Sequence, residues 1–342
     1  MRIKAVRTRK IVFVVLSSLV VLHLAILFAG FIAPYDPTVQ NRELPYAPPT
    51  RLHFADASGF HLRPFVYAPT DDLDGYRENV GQKYPLRFFV RGSAYTIAGI
   101  VKTNLHLFGV DEPARIFAFG ADAYGRDQFS RLLFGGQISL AAGLLATLLT
   151  LCTATIIGMV SGYYGKWVDE LLMGSAELFL SLPWFYFLLG VRAFLPLHLG
   201  PARTFLLLIG VIGLIGWARP ARLIRGVVLS ARERNYVLAG RGFGGTDTYL
   251  LRRHILPQTL GVVLTQAALL VPQYVAAEAT LSFFGLGVNE PVPSWGNMLS
   301  ALQQYNVLVS YAWLLAPACA LIVTSVIYWL LAEALHHWLK SN

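Results

Sequence analysis

Apolar residues in this chain gather into long runs separated by polar stretches. The first run is Ile11–Ala33, and others follow at about Ile138–Val160, Leu171–Leu195, Thr204–Leu229, Leu260–Phe284 and Trp313–Leu331. A helix of about 20 apolar residues crosses about 30 Å of hydrocarbon. The pattern therefore predicts an all-α integral membrane protein with six transmembrane helices. The fourth run is the weakest, because Thr204–Ala218 is short and Arg219-Pro220 interrupts it. That helix is expected to continue through Leu223, Ile224 and Val227 while its arginines snorkel toward water.

The polar stretch between the first two runs, Pro34 to Arg131, is too long for a plain connection. Leu86–Val90 and Tyr95–Val101 read as short strands around Arg91-Gly92-Ser93. Asp71-Asp72-Leu73-Asp74-Gly75 reads as a turn. The expected organisation has three parts: 1–33, a cytoplasmic N-terminus and first helix; 34–131, a small β-containing extracytoplasmic insert ending in an outer interfacial helix; and 132–342, a core of five transmembrane helices.

Composition agrees with the membrane class. Hydrophobic residues make up 55% and charged residues 14%, against about a quarter charged in soluble domains. Mean hydropathy is +0.53. The net charge of +9 does not point to nucleic acid, because most of the cations flank apolar runs. Arg2, Lys4, Arg7, Arg9 and Lys10 precede the first run with no acid among them. The run is too long for a signal-peptide core and Pro34 follows without an A-x-A site, so an uncleaved helix is expected. Alternation from a cytoplasmic N-terminus places Ser161–Glu170 and Ser230–Thr259 inside. The second loop and the helix end before it hold Arg219, Arg222, Arg225, Arg232, Arg234, Arg241, Arg252 and Arg253 against Glu233 and Asp247. Positive-inside bias then puts both termini in the cytoplasm. Cys152 and Cys319 lie in apolar runs without metal-ligand spacing, so neither a metal nor a disulfide is expected.

The basic loop reads Tyr236-Val237-Leu238-Ala239-Gly240-Arg241-Gly242-Phe243-Gly244-Gly245-Thr246, then Arg253-His254-Ile255-Leu256-Pro257. It resembles the EAA loop of ABC importer permeases, in which E-A-A, three residues and a glycine lead to an ending of the H-I-L-P type. Ala239, Gly244 and His254–Pro257 fall on motif positions, whereas Leu238 replaces the usual glutamate and Gly240 the second alanine. Gly120-Ala121-Asp122 through Gly125-Arg126-Asp127 to Ser130-Arg131-Leu132 resembles the G-T-D-x-x-G-R-D segment of the dipeptide, oligopeptide and nickel branch. Ala276 to Gly287, with Pro293-Ser294-Trp295-Gly296, resembles its A-E-x-x-L-S-F-L-G-L-G and P-S-W-G segments. The stretch from about 45 to 115 departs from that family, whose connection there is usually much shorter.

This resemblance implies a permease subunit of an ATP-driven importer in a bacterial or archaeal inner membrane, carrying di- or oligopeptides. The same machinery could carry nickel or another small solute. The implied partners are a second homologous permease, two ATP-binding subunits, an extracytoplasmic solute-binding protein and membrane lipid. The loop at about 230–257 would be the ATPase-coupling element, through Leu238, Ala239, Gly240, Gly244, His254, Ile255, Leu256 and Pro257.

No cofactor is expected. Gly240-x-Gly242-x-Gly244-Gly245 lacks the preceding strand and following Gly-Lys-Ser/Thr of a phosphate loop, and no Walker A sequence occurs. Hydrolysis is therefore assigned to partner subunits rather than to this chain. Glu278, with Ser282, is a candidate for the translocation path, because ionisable groups inside a span default to functional hypotheses. Packing is the competing role for Glu278. Glu177 is a weaker candidate at an interface. Gly125, Arg126 and Asp127 are expected to start the outer interfacial helix, with Asp127 as its cap. They are not catalytic, since no nucleophile and base accompany them. His336-His337 suits a helix end, and Arg241 is expected on the rim of the loop, where an exposed pair counts for little. A secondary transporter or channel without ATPases is the rival from another class. It would ordinarily show more ionisable residues within its spans.

Overall fold

The computed structural model describes residues 2–57, 59–72, 75–97, 99–183, 186–190 and 200–341. Helices dominate, and two small antiparallel sheets interrupt them. The chain divides into two compact units. One comprises Met1–Leu19, Leu140–Glu278 and Val323–Asn342; the other comprises Val20–Ser139 and Ala279–Ile322.

Helix α1 (Arg2–Leu27) carries the first apolar run, and a short α2 (Ala29–Ile32) follows it. The expected single helix to Ala33 is thus interrupted at Phe28. In the second unit, β1 (His53–Asp56), β2 (Gly59–Asp72) and β3 (Gly75–Pro85) form a sheet in sequence order. The expected turn at 71–75 lies at the β2–β3 junction, but its Leu73 and Asp74 fall outside the described residues. Strands β4 (Arg87–Ile97) and β5 (Val101–Gly109) form a separate hairpin. Here the sequence expectation needs correcting. Arg91-Gly92-Ser93 is not a turn between two strands but an irregularity within β4, where the register shifts between Arg91 and Tyr95. The cause is packing: a Cβ on Gly92 would lie 2.8 Å from the His106 ring, so this glycine admits the histidine rather than reversing the chain.

The hairpin is fixed to the end of the first apolar helix. The buried His106 ring bridges the Ala33 carbonyl at 2.6 Å and the Ser93 carbonyl at 2.9 Å. A Cβ on Gly30 would fall 2.2 Å from the Tyr95 ring. The three-stranded sheet contributes Val66 and Tyr84 to a small core with Leu86, Ala114 and Ile116, against which Tyr35 packs.

Helix α3 (Gln128–Tyr164) contains the second apolar run. Helix α4 (Lys166–Ser181) opens the third; within that run, residues 184–185 and 191–195 lie outside the described residues. The fourth run is a bent pair, α5 (Pro201–Ile215) and α6 (Ala218–Arg232), turned by 43°. Gly158 and Gly162 let α6 approach α3 closely. A Cβ at Gly158 would meet the Ala221 carbonyl at 2.7 Å, and one at Gly162 would meet Val228 at 2.8 Å. Small residues one turn apart serve membrane helices in this way because close backbone contact replaces the hydrophobic drive that lipid removes. Ala154, Ala221, Ile224 and Val228 complete that core.

After α6 come α7 (Asn235–Gly242), α8 (Asp247–Leu250), a π-turn at Leu251–Ile255 and α9 (Leu256–Phe283). In the second unit, α10 (Trp295–Leu299) begins with a capping box between Ser294 and Asn297. Trp295 is buried there, its indole N–H donating to the Leu132 carbonyl at 2.9 Å. A Cβ on Gly296 would fall 2.2 Å from the Ala279 carbonyl. The Pro-Ser-Trp-Gly motif is therefore a packing device: cap, wedge and close approach in successive residues. Helices α11 (Tyr305–Ser310) and α12 (Ala316–Ser341) complete the chain. Among the described residues, three helices are long and apolar enough to cross a membrane, or four if the bent pair counts as one span. Val12–Leu27 is a shorter apolar helix.

Candidate functional site

The loop from α7 to α9 has two faces. Val237, Leu250 and Ile255 are buried, and Val237 and Ile255 join the core of the first unit. Leu238, Ala239, Tyr249 and Pro257 are exposed, and Phe243 is 93% exposed. The reversal between α7 and α8 needs glycine twice, for different reasons. Gly244 sits at φ +81, a left-handed conformation that costs other residues about 1–2 kcal/mol. Gly245 donates its N–H to the Gly240 carbonyl at 2.9 Å, and a Cβ there would lie 2.7 Å from that oxygen. Thr246 then caps α8 by accepting from the Tyr249 N–H. His254 lies near the rings of Tyr236 and Tyr249, at 5.9 and 5.4 Å between centroids. Leu256 and Pro257 follow the π-turn without a break, so that α8, the π-turn and α9 run on as one helix over Asp247–Phe283, and Pro257 has no N–H to give to that ladder.

Polar ties that the sequence does not announce hold this region. Tyr163, at the end of α3, touches both Arg241 and Asp247. Asp169 accepts from both Arg225 and Ser161. The Arg225 guanidinium holds the Asp169 carboxyl below its ordinary range. Arg222 reaches Glu177 at 2.6 Å. Apart from Ser161 and Asp169, the partners lie tens of residues apart in sequence, and only an i+3 or i+4 spacing would make such pairs legible.

In the second unit, Gly125, Arg126 and Asp127 do not begin a separate interfacial helix. They form the turn that starts α3. Gly125 has φ +66, and a Cβ there would fall 1.8 Å from the Asn41 carbonyl. Asp127 caps α3, accepting from the Ser130 N–H at 2.8 Å and from its hydroxyl. Complete burial pushes the Asp127 carboxyl up to about 6. Arg126 donates to Asp122 at 2.7 Å and, with Arg131, grips Glu290, each at 2.7 Å. Burial raises the Glu290 carboxyl, but Arg131 and Arg126 outweigh it and leave it below its usual range. Glu290 lies outside every motif quoted above, and no spacing rule singles it out.

Glu278 is fully buried and has partners within the chain. Ser282 is also buried; its hydroxyl accepts from the Val288 N–H at 3.2 Å, and Gly287 leaves it room.

Comparison of the sequence with known proteins relates it to transport membrane components. A Brucella ovis protein described as a peptide permease is 38% identical over 206 residues, covering 60% of this chain and 66% of that protein. The oligopeptide transport system permease protein of Bacillus subtilis is 34% identical over 224 residues, covering 65% of this chain and 71% of that protein. The matched region thus spans just under two thirds of the Brucella relative's length. One chain in a crystal structure of a methionine ABC transporter has a TM-score of 0.43 at 17% identity, covering 60% of this chain and 95% of that one. Residues 154–341, more than half of the chain, match one family throughout. The chain belongs to the family of binding-protein-dependent transport system inner membrane components.

Proposed function

We propose that this chain is one of two membrane subunits of an ATP-driven peptide importer. It would work with a homologous second permease, two ATP-binding subunits and an extracytoplasmic solute-binding protein, and would itself carry no ATPase chemistry. The observation that carries the proposal is the two-faced loop of α7 and α8. One face packs into the protein, while Leu238, Tyr249 and Phe243 stand outward on a glycine reversal. Exposed aromatic and aliphatic side chains on a short, rigid protrusion suit insertion into a partner's groove. In this role Leu238, Ala239 and Gly240 present the first helix, Gly244 makes the turn, and His254, Ile255, Leu256 and Pro257 join it to α9. Peptide as the cargo is supported by the relatives described as peptide and oligopeptide permeases.

The proposed topology has six spans with both termini in the cytoplasm. The third span begins in α4, and the bent pair makes the fourth. The two sheets of 53–109 form an extracytoplasmic insert that contacts the binding protein or the second permease. Gly125, Arg126 and Asp127 close the same side. Glu278 and Ser282 belong to the path-bearing helix, buried in this conformation. The test is purification of the tagged chain from its native membrane, followed by reconstitution. Co-purification of a Walker A ATPase and ATP-dependent uptake of a labelled tripeptide are expected. Uptake without any ATPase would favour the secondary transporter, and uptake of nickel in place of peptide would reassign the cargo.

A further inference from the structure

The break between α5 and α6 opens a cavity of about 340 Å³. Its walls include Phe179, Leu182 and Leu270, and its polar lining includes Arg219, Gln273 and Tyr274. Tyr274 is buried, and its hydroxyl lies 3.0 Å from that of Thr150. A Cβ on Gly216 would fall 1.9 Å from the Tyr274 hydroxyl, so the glycine at the break admits the tyrosine.

Arg219 differs from its neighbours. Arg222 pairs with Glu177, and Arg225 pairs with Asp169. Arg219 has no ion pair or hydrogen bond among the described residues, and it is the one charged side chain on the cavity's described lining. Gln273 likewise has no hydrogen-bond partner among them. A guanidinium stays charged in any protein setting, and Arg219, like Gln273, is exposed at the opening of the cavity. No acid of the described lining answers that charge. Two uncommitted donors beside apolar walls form a receptor for a planar anion with a hydrocarbon neighbour. Guanidinium binds carboxylate through two parallel hydrogen bonds, and a broken membrane helix is where secondary transporters place such sites. The volume lies at the lower end of ligand pockets, roughly 300–1,000 Å³, enough for one terminal residue rather than a whole oligopeptide.

We propose that Arg219 and Gln273 form a station on the transport path that receives the C-terminal carboxylate of the peptide. Phe179, Leu182 and Leu270 hold its last side chain. This rests on the peptide-importer function proposed above and adds to it the chemical group that is recognised and the residues that recognise it.

The test uses the whole complex in proteoliposomes, with Cys152→Ser, Cys319→Ser and Gln273→Cys in this chain. The thiol introduced at position 273 is titrated with methanethiosulfonate reagents of similar size, one anionic and one cationic. The anionic reagent is expected to react about tenfold faster, as a nearby unpaired cation requires. Arg219→Gln should abolish that preference and Arg219→Lys should keep it. Trialanine should slow the modification, whereas trialanine amide should not. Leu270→Cys reads the same cavity if Gln273→Cys fails to assemble. Absence of charge preference overturns the station, as does equal slowing by acid and amide. Slowing by phosphatidylglycerol content instead of trialanine would make Arg219 a lipid-headgroup ligand and also overturn it. Trialanine uptake by the complex with native Arg219 and Gln273 is measured in parallel vesicles. Uptake without protection of the introduced thiol sinks the station alone, and absence of both uptake and protection sinks the importer function with it.

Discussion

The Tyr163 hydroxyl donates to the Asp247 carboxylate at 2.6 Å. The same oxygen accepts from Arg241 at 2.9 Å, and the guanidinium lies 5.4 Å from the centre of the Tyr163 ring. One phenol at the end of α3 therefore ties both halves of the α7–α8 loop. Arg241 is exposed, as its sequence setting suggests, but it is not idle on a rim.

Tyr163→Phe removes both hydrogen bonds without changing shape. Each is worth about 0.5–1.5 kcal/mol at a buried site and less here, where water screens Arg241. A net loss of about 1 kcal/mol in loop ordering is expected. Arg241→Glu should be worse, because it places a second carboxylate against Asp247. Substrate-stimulated ATP hydrolysis by the reconstituted complex is the readout. It should fall several-fold in Arg241→Glu and less in Tyr163→Phe. Unchanged stimulation in both variants would mean that the clasp does not position the loop.

The glycines of the reversal should separate by mechanism. Gly245→Ala drives a Cβ against the Gly240 carbonyl and should disorder the turn. Gly244→Ala meets no atom within 4 Å, so its cost is backbone strain alone, about 1–2 kcal/mol; Gly244→Asn should be milder, since asparagine visits that conformation. Gly242 has ordinary φ and open space, so Gly242→Ala is the neutral control. Gly244→Trp should reach the membrane with its partner permease yet lose the ATPases or uncouple them. ATPase retention after detergent extraction distinguishes these outcomes. Full retention and transport in Gly244→Trp would remove the loop from the coupling role.

Asp127 gives a pH dependence of definite sign. Its carboxyl rises from 3.8 to about 6 on folding, so the folded protein binds that proton more tightly. The stability it confers is complete below 3.8 and is lost as pH rises through about 6. At neutral pH the buried carboxylate then costs roughly 3 kcal/mol. Asp127→Asn keeps an acceptor for the Ser130 N–H and discards the charge. It should melt above the native protein at pH 7.5, and the gap should close near pH 4. Glu290→Gln should behave oppositely: a lowered carboxyl stabilises above its unfolded pKa, and that advantage disappears on acidification. Parallel melting curves for Asp127→Asn and the native protein across this range would refute the assignment.

Topology is tested at two exposed positions in a Cys152→Ser, Cys319→Ser background. Leu62 on β2 is 96% exposed, and Phe243 is 93% exposed. Leu62→Cys should react with a membrane-impermeant maleimide added to intact cells, and Phe243→Cys should react only after permeabilisation. The reverse pattern would invert the proposed orientation.

The apolar runs announced most of the helices because a span is a local property: its length and composition are read directly from consecutive residues. Glycine and proline marked the α7–α9 loop for the same reason. What was not legible depends on partners distant in sequence. Nothing near Tyr163 names Asp247, and nothing near Arg126 or Arg131 names Glu290. Gly92 looked like a turn because a glycine between strands usually is one. Only the fold shows that it yields space to His106. The break at Phe28 also escaped the pattern, since hydropathy continues across it, whereas the interruption read at Arg219-Pro220 lies two residues past the bend at 216–217.

The fit of Gly216 to Tyr274 bears on how this subunit could diversify. The tyrosine fills the place of the missing side chain at 216, so neither position can change alone without crowding or a void. Arg219 and Gln273 border the same opening, yet no partner within the described residues constrains them. Random mutagenesis with selection for altered cargo should therefore recover replacements at 219 and 273 freely, while 216 and 274 stay fixed or change as a pair. In this way the transporter could acquire a new taste for cargo without rebuilding its frame.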